Sequence, residues 1–372
     1  MEHGVAIDVG TTNLSISLVN LSTKAVLGSL SLPNPQSKYG ADILTRYSAA
    51  VKDCSVRLEL HSMIVSVLRD SVRKICADHP SCKVGRLVIV GNTIMYAFLM
   101  NEDCMNFIRR KTTISDYHAV EGPVIVSGVK TMVFPPLASY VGSDALAVLL
   151  STGIHKSESV QMVVDFGTNS EILVGNRDRI LLTSVAGGAA FEDPSMSFSS
   201  QAADGAVYQA SYYEGSFAFK FLGKKALSLC GSGILDIVAE AKRHGLIDAS
   251  GRLAGNGIML TESISITQKD IRAVQLAKAA TRAAIDILTA STGKVTKLYV
   301  AGNFGNYLNL DNARLIGLIP ALDSQIVKDC AVKGAAMLLE DLDLAQIISR
   351  LEFVDLPSHP SFQERFIGSM VL

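Results

Sequence analysis

The apolar and polar positions of the chain alternate between short strand patterns and longer helix patterns. Residues 4–9 predict a buried strand, residues 14–19 alternate apolar and polar as a half-buried strand does, and residues 26–32 complete a meander. Apolar side chains between residues 60 and 75 recur at helical spacing and predict an amphipathic helix. Further strands are predicted at 87–90, 124–126, 132–134, 160–165, 172–176, 180–182, 297–301 and 352–354, and further helices at 93–99, 145–150, 234–244, 267–290, 328–339 and 361–370. The mixture predicts an α/β fold.

One arrangement of residues occurs twice, each time directly after a predicted strand. The first copy is Asp8, Val9, Gly10, Thr11, Thr12 and Asn13, and the second is Asp165, Phe166, Gly167, Thr168, Asn169, Ser170 and Glu171. A later strand ends in Gly91 and Asn92, and another ends in Gly302 and Asn303. A single D-x-G-T sequence is typical of an ordinary polar turn, but two correlated copies predict a duplicated domain with nucleotide between its halves.

These residue types suit a phosphate and a divalent cation. A glycine lets the backbone approach a phosphate, to which hydroxyls and free N–H groups donate hydrogen bonds. A carboxylate holds Mg²⁺, usually through water, because Mg²⁺ prefers oxygen ligands and keeps part of its hydration shell. We therefore assign Mg²⁺ to Asp8 and Asp165, and we expect the N–H groups of the glycine turns to be free. The predicted phosphate contacts are Gly10, Thr11, Thr12, Asn13, Gly167, Thr168 and Asn169.

Two further stretches are candidates for ligand contact. Residues 186–190 are small, which allows close approach of a backbone or a ligand, although tight packing alone also explains them. Glu192 follows them and is a candidate for contact with a Mg²⁺-bound water or with substrate. Gly231 and Ser232 begin a predicted helix, whose free N–H groups would meet a phosphate.

Composition narrows the functional classes. A length of 372 residues suggests two domains, which we place at residues 1–155 and 156–372, with the C-terminal helix packing back on the first. Hydrophobic residues make up 48% and charged residues 19%, which indicates a globular chain. A net charge of −1 favours neither nucleic acid nor an anionic membrane as a partner. The chain lacks a long apolar run and a signal-peptide pattern, so we expect it in the cytoplasm.

The six cysteines do not have the spacing of a metal site. No two of them form C-x-x-C, and no His/Cys pair has zinc spacing. Iron–sulfur spacing is missing as well. We expect reduced, mostly buried thiols and no iron–sulfur cluster held by this chain.

With these residues in view, the sequence resembles the actin/sugar-kinase/Hsp70 superfamily of ATP-binding proteins. Within it, the chain is similar to the ATPase domain of the reductive activators of corrinoid proteins, over most of its length. The similar segments are Val90 to Thr93, Tyr140 to Asp144, Asp165 to Glu171, Ala186 to Glu192, Cys230 to Asp236, Gly245 to Asp248, Ala301 to Tyr307, Ile316 to Pro320 and Phe353 to Phe362.

The resemblance assigns roles to several residues. Asp144 follows Gly142 at the start of a helix, where many sugar kinases of this architecture keep their general base; the alternative is that Asp144 only favours the helix N-terminus. In an ATPase, Asp144 would orient the attacking water, and Glu171 or Glu192 would assist. The predicted neighbours of the adenine and ribose are Gly302, Asn303 and Gly305.

The resemblance also implies a reaction and partners. ATP binding and hydrolysis, with Mg²⁺, would drive the one-electron reduction of Co(II) to Co(I) in a corrinoid protein of a methyltransferase system. The family implies docking of that protein on this domain and a homodimer. Hinge closure of the two halves would follow from a γ-phosphate that bridges both loops.

Departures from the family pattern change two expectations. The family adds a ferredoxin-like iron–sulfur domain, whereas this sequence enters the ATPase pattern near Met1 and ends with it. A separate ferredoxin-like electron donor, a longer parent chain and a lost redox role all stay open. Ser170 and Gly188 stand where the family has Gly and Pro, so loop geometry is expected to differ there.

Two other functions fit the same fold. A small-molecule kinase would use Asp144 as the base for a substrate hydroxyl, and it would form a phosphorylated product. An actin-like scaffold would assemble in a nucleotide-dependent way and would have no partner chemistry.

Overall fold

A computed structural model describes residues 2–40, 42–79, 81–108, 117–167, 169–192, 196–200 and 202–372. The strands are β1 (His3–Val9), β2 (Asn13–Asn20), β3 (Val26–Pro33), β4 (Val84–Gly91), β5 (Val120–Glu121), β6 (Thr131–Val133), β7 (Gln161–Phe166), β8 (Asn169–Gly175), β9 (Ile180–Ala186), β10 (Ala206–Tyr213), β11 (Ser216–Phe221), β12 (Ser228–Leu229), β13 (Ile258–Met259), β14 (Ser265–Ile266), β15 (Lys297–Ala301), β16 (Ser324–Ile326) and β17 (Leu351–Phe353).

The helices alternate with these strands, as the sequence pattern predicts. They are α1 (Ile43–Lys52), α2 (Cys54–Ala77), α3 (Thr93–Met100), α4 (Met105–Ile108), α5 (Ser143–Thr152), α6 (Gly231–Arg243), α7 (Gln268–Thr292), α8 (Gly302–Gly305), α9 (Leu310–Leu315), α10 (Cys330–Met337), α11 (Leu344–Ile348) and α12 (Phe362–Gly368). Within the described residues, none of these helices is both long and apolar enough to cross a membrane.

Most predicted elements are confirmed, and one strand is wrong. The amphipathic pattern corresponds to α2, which begins earlier than predicted, at Cys54, and ends at Ala77. The predicted strand at 124–126 is instead a bend that leads into a turn, and Gly128 in that turn has a φ of +76°. Pro123 precedes the three apolar residues and offers no N–H to a strand partner, so a run this short does not pair.

Contacts divide the chain into two compact units. Unit 1 consists of Met1–Ser157, Asn176–Ile180 and Asp329–Phe353, and unit 2 consists of Glu158–Gly175, Leu181–Lys328 and Val354–Leu372. Each unit has its own buried apolar cluster, so each has its own hydrophobic stabilisation.

Unit 1 is built on a sheet with the strand order β3-β2-β1-β4-β6-β5. Strand β1 pairs antiparallel with β2 and parallel with β4. Helix α2 buries Leu60, Ile64 and Leu68 in the cluster that also contains the apolar side chains of β1. Helix α10 packs very closely on α5: a β carbon built on Gly334 would overlap the carbonyl oxygen of Ala147.

Unit 2 contains a sheet with the order β16-β15-β7-β8-β9 and a smaller sheet with the order β11-β10-β12. Helix α7 begins with a capping box, in which Thr267 and Asp270 exchange side-chain and backbone hydrogen bonds, as the sequence predicts. Helices α7 and α12 pack against each other within this unit.

The two units share one strand order. In unit 1, β1–β3 form a meander, and β4 and then β6 lie on the other side of β1. In unit 2, β7–β9 form the meander, and β15 and then β16 lie on the other side of β7. The parallel registers also agree. Asp8 lies opposite Val90, the residue before Gly91, and Asp165 lies opposite Ala301, the residue before Gly302. The predicted duplication is therefore confirmed, and each D-x-G-T loop lies beside the Gly-Asn end of the neighbouring strand.

Candidate functional site

The first loop is a tight turn between β1 and β2. Val9 lies opposite Leu14, so the turn consists of residues 10–13. The N–H of Gly10 donates to the carbonyl of Asn13 at 3.0 Å, and a β carbon on Gly10 would lie 2.6 Å from that oxygen. Only glycine fits there without a shift, and Asp8 enters the turn half-buried.

Thr11 is held from two sides. Its hydroxyl oxygen accepts a hydrogen bond from Asn92 Nδ2 at 3.1 Å, and its carbonyl accepts from Arg46 Nη1 at 2.7 Å. Arg46 is 1% exposed, and burial lowers the pKa of its guanidinium. Asn92 also caps α3 by accepting from the N–H of Met95. These bonds fix the backbone of the loop, while the side chain of Thr12 stays exposed.

The start of α5, which contains Asp144, lies against the end of β4 because of Gly142. A β carbon on Gly142 would lie 2.4 Å from both Asn92 Cα and Gly91 O, so glycine alone lets the start of α5 approach β4. Ser143 strengthens this contact by accepting from the N–H of Gly91 at 3.1 Å. Burial raises the pKa of the Asp144 carboxyl to about 6. A carboxylate with this pKa is ionised at neutral pH and is a stronger base than a solvated aspartate.

The second loop is one residue shorter than the first. Phe166 lies opposite Ser170, and the N–H of Gly167 donates to Asn169 O at 2.9 Å. Asp165 and Glu171 are directly opposite each other across the hairpin, so their side chains share one face of the sheet. Thr168, a predicted phosphate contact, lies outside the described residues.

Gly302 fits closely against Asp165. Its φ is +85°, and a β carbon there would lie 2.4 Å from Asp165 Oδ1 and 2.3 Å from Phe166 O. The short helix α8 therefore begins in contact with the carboxylate at the end of β7. Asn303 is exposed at this place, whereas Gly305 is buried beneath it.

Phe304 forms an apolar wall beside the second loop. Its ring stacks on Phe191 with centroids 5.4 Å apart and meets the edge of Phe166 at 5.7 Å. β carbons on Gly188 and Gly231 would lie 3.1 Å or less from Phe304 atoms. The small residues that the sequence singles out therefore make room for an aromatic ring of the protein itself.

Glu192 lies at the N-terminus of α6. Burial raises the pKa of its carboxyl to about 6, although a hydrogen bond from the N–H of Gly231 opposes the rise. The hydroxyl of Ser232 donates to Tyr208 O at 2.8 Å, and Ser232 is buried. Two groups predicted to meet a phosphate thus have partners inside unit 2.

The site residues gather in two sets. In unit 1 contacts join the D-x-G-T loop to Asn92 and the start of α5 to the end of β4. In unit 2 the second loop, with Glu171 opposite Asp165, contacts α8, and Glu192 is hydrogen-bonded to the start of α6. The expectation that the N–H groups of the two turn glycines are free is wrong, because each closes its own turn.

Three buried polar atoms near these loops lack a hydrogen-bond partner among the described residues. They are Thr93 Oγ1, Ser170 Oγ and Asn306 Oδ1. A buried unpaired polar atom is costly, so water or a bound group is expected to complete the hydrogen bonding at these places. The described residues contain no group of three or more His, Cys, Asp or Glu that would hold a metal by themselves. Mg²⁺ needs fewer protein ligands, because it keeps water and takes phosphate oxygens.

Sequence reasoning missed Arg46 and Phe304. Arg46 contacts a residue 35 positions earlier, and no local pattern signals such a contact. Phe304 could have been predicted from the sequence, since it lies between Asn303 and Gly305, two predicted site residues of the same loop.

Known proteins match both parts of the chain. Residues 159–372 match the C-terminal domain of RACo, the ASKHA domain, and residues 3–157 match the RACo middle region. The corrinoid activation enzyme RamQ of Eubacterium limosum is 28% identical over 98% of this chain and 69% of its own length. The [Co(II) methylated amine-specific corrinoid protein] reductase of Methanosarcina barkeri is 24% identical over 88% of this chain and 67% of its own length.

A solved structure agrees with these matches. The reductive activator for corrinoid, iron-sulfur protein superposes with a TM-score of 0.78 at 26% identity, over all of this chain and 66% of that one. The chain thus spans about two thirds of the length of the relatives it matches. The ASKHA match confirms the predicted superfamily fold.

Proposed function

The chain belongs to the RACo family, and on that premise we propose that it hydrolyses ATP to assist the reductive activation of a corrinoid protein. The observation that carries the proposal is the pair of equivalent carboxylates. Asp8 and Asp165 are each the next-to-last residue of the first strand of a duplicated sheet, and each lies beside the glycine end of a parallel strand. Two relatives support the proposal by their names, one a corrinoid activation enzyme and the other a reductase of a corrinoid protein.

The residues fit a magnesium nucleotide. Asp8 and Asp165 supply one carboxylate per loop, which suffices for a Mg²⁺ that is otherwise bound by water and phosphate. Mg²⁺, when bound, neutralises phosphate charge and orients the phosphate chain. Thr12 and Asn13 of the first loop and Asn169 of the second loop are proposed to bind phosphate oxygens. Gly302, Asn303 and the unpaired Asn306 Oδ1 are proposed to border the nucleoside.

Asp144 is proposed to hold the attacking water. The water attacks the γ-phosphorus, the bond to the leaving ADP oxygen breaks, and Asp144 accepts the proton. Its pKa of about 6 leaves it ionised at neutral pH and suited to that task. Glu171 and Glu192 are proposed to assist by binding water.

The redox step needs an outside electron. One electron passes from a separate ferredoxin-like donor to Co(II), which becomes Co(I), while the donor is oxidised by one electron. The binding of ATP favours the complex in which cobalt is more easily reduced. We also propose that the chain works as a cytoplasmic homodimer, with residues 1–155 and 156–372 as its functional halves.

A small-molecule kinase is the second candidate, and the setting of Asp144 favours it. A carboxylate with a raised pKa at the start of a helix would equally deprotonate a substrate hydroxyl. This function predicts a phosphorylated product and little ATP turnover without an acceptor.

ATP hydrolysis by the purified chain tests the first proposal. Turnover is measured with and without a Co(II) corrinoid protein and a one-electron donor, while the corrinoid absorbance is followed. We expect faster turnover with the corrinoid protein, and Co(I) only when ATP is present. Slow turnover that does not change when the corrinoid protein is added would contradict the proposal. Small molecules with a hydroxyl group would then be tested as substrates.

Matched variants separate site chemistry from general damage. Asp165→Asn keeps the shape of the side chain and removes its charge, so we expect ATP-dependent Co(I) formation to be lost. Asp70→Asn changes an exposed carboxylate on α2 and serves as the control. Equal loss in both variants would contradict the assignment of Asp165.

A further inference from the structure

Two cysteines at the end of α2 are in direct contact. The Sγ atoms of Cys76 and Cys82 are 2.8 Å apart, and both thiols are free and half-buried. A disulfide bond is about 2 Å long, so joining the two atoms requires a movement of less than about 1 Å. The other cysteines lie elsewhere: Cys54 is exposed at the opposite end of α2, and Cys104, Cys230 and Cys330 are buried.

The backbone holds this pair together through two consecutive turns. The N–H of His79 donates to Cys76 O at 3.0 Å, and the N–H of Cys82 donates to His79 O at 2.8 Å. The first turn ends α2, and the second hydrogen bond holds Cys82 in the connection that leads to β4. Their side chains also pack on the apolar cluster of unit 1. The contact is thus built into the fold.

We propose that Cys76 and Cys82 form a reversible intrachain disulfide by exchange with a low-molecular-weight disulfide such as oxidised glutathione. The thiolate of Cys82 attacks one sulfur of glutathione disulfide, forms a mixed disulfide and releases one glutathione thiolate. Cys76 then attacks the Cys82 sulfur, and the second glutathione leaves. The two cysteines are oxidised, two glutathiones are produced, and the two protons go to the leaving thiolates.

The surroundings of Cys76 support this order of attack. Burial, and after it the hydrogen bond and charge of Cys82, together raise the pKa of the Cys76 thiol to about 12. Cys76 therefore stays protonated while Cys82 is a free thiol. Once Cys82 is in a mixed disulfide, its hydrogen bond and charge no longer oppose ionisation of Cys76. The second step is then favoured by the first.

Peptide mass measures the disulfide directly. The purified chain is equilibrated in glutathione redox buffers, quenched with acid, alkylated with iodoacetamide and digested with trypsin. Trypsin cleaves after Lys74 and after Lys83, so both cysteines lie in one peptide, residues 75–83. We expect this peptide to lose two hydrogens and to take up no alkyl group, while the peptide of Cys54 is alkylated. Alkylation of both Cys76 and Cys82 would overturn the proposal.

The unfolded chain is the reference, because two cysteines close in sequence exchange even without a fold. We expect half-oxidation of the folded chain at a ratio of oxidised to reduced glutathione at least about tenfold lower than in urea, roughly 30 mV in potential. Equal glutathione ratios at half-oxidation in the folded and the unfolded chain would show that the fold does not favour the disulfide, and they would overturn the proposal. Cys76→Ser should accumulate the glutathione adduct on Cys82, and Cys82→Ser should accumulate little on Cys76. The reverse pattern would overturn the order of attack.

Discussion

The carboxylate of Glu192 accepts a hydrogen bond from the backbone N–H of Gly231, the first residue of α6. A helix N-terminus attracts negative charge because its first N–H groups have no partner in the helix. Here a side chain of the same unit takes one of these groups. The predicted phosphate contact at Gly231 therefore competes with Glu192, and the ionisation of Glu192 becomes a measurable property of the site.

Replacement of Glu192 by Gln should stabilise the chain above pH 6. Burial raises the pKa of Glu192 to about 6 from its usual 4.5, so the folded chain binds this proton more tightly than the unfolded chain. The stability that this group contributes is fully present below pH 4.5 and is lost as pH rises through 6. Glu192→Gln should gain about 2 kcal/mol of unfolding free energy at pH 7.5 and nothing at pH 4. Urea unfolding at both pH values measures the difference, and an equal gain at both would contradict it.

Replacement of Gly302 by Ala should weaken nucleotide binding. The new methyl group would meet Asp165 Oδ1 and the backbone of Phe166, and the residue would keep a positive φ. Gly293→Ala is a matched control, because Gly293 also has a positive φ but has open space around it. We expect calorimetric titration with ADP to show at least about tenfold weaker binding for Gly302→Ala, or roughly 1.4 kcal/mol, and no change for the control. A similar loss in both variants would point to backbone strain alone.

The ATPase rate should depend on a group that titrates near pH 6. Burial raises the pKa of Asp144 to about 6, so the rate should fall as the pH drops below this value and the base becomes protonated. Asp144→Asn should lower kcat by roughly 10²–10⁴ and remove that part of the pH profile. Steady-state rates from pH 5 to 8 test this. A variant that keeps the wild-type profile would show that another group titrates.

Loss of the Phe304 ring should destabilise unit 2. The ring contacts Phe191 and Phe166 but is only half-buried, so Phe304→Ala should cost about 2 kcal/mol, below the range for a fully buried phenylalanine. Tyr307→Ala removes an exposed ring nearby and should change stability by less than about 0.5 kcal/mol. Urea unfolding of both variants tests the difference, and equal effects would contradict the role of Phe304.

Much of the fold could be predicted because its signals are local. The helical spacing in α2 and the capping box of α7 depend on residues within a few positions of each other. The two D-x-G-T loops were also recognisable, because each directly follows an apolar strand. The strand predicted at 124–126 was wrong, since three apolar residues are too short a pattern to predict a strand directly after Pro123.

Contacts between distant segments could not be predicted. The hydrogen bond from Arg46 to Thr11 and the approach of Gly142 to Asn92 both join segments far apart in sequence. These contacts form only after α1, β1, β4 and α5 have packed, and the periodicity of the sequence does not predict that packing. The ring of Phe304 likewise lies against Gly188 and Gly231 only after unit 2 has folded.

The sequence by itself determined the duplicated architecture, the places of the two loops and the carboxylates that end their strands, because strand and turn signals are local and occur twice. Only the tertiary structure decided that the turn glycines close their own turns, that Glu192 occupies the start of α6 and that Cys76 touches Cys82. The physical reason is that hydrogen-bond partners and burial, which set pKa values and reactivity, depend on which segments pack together.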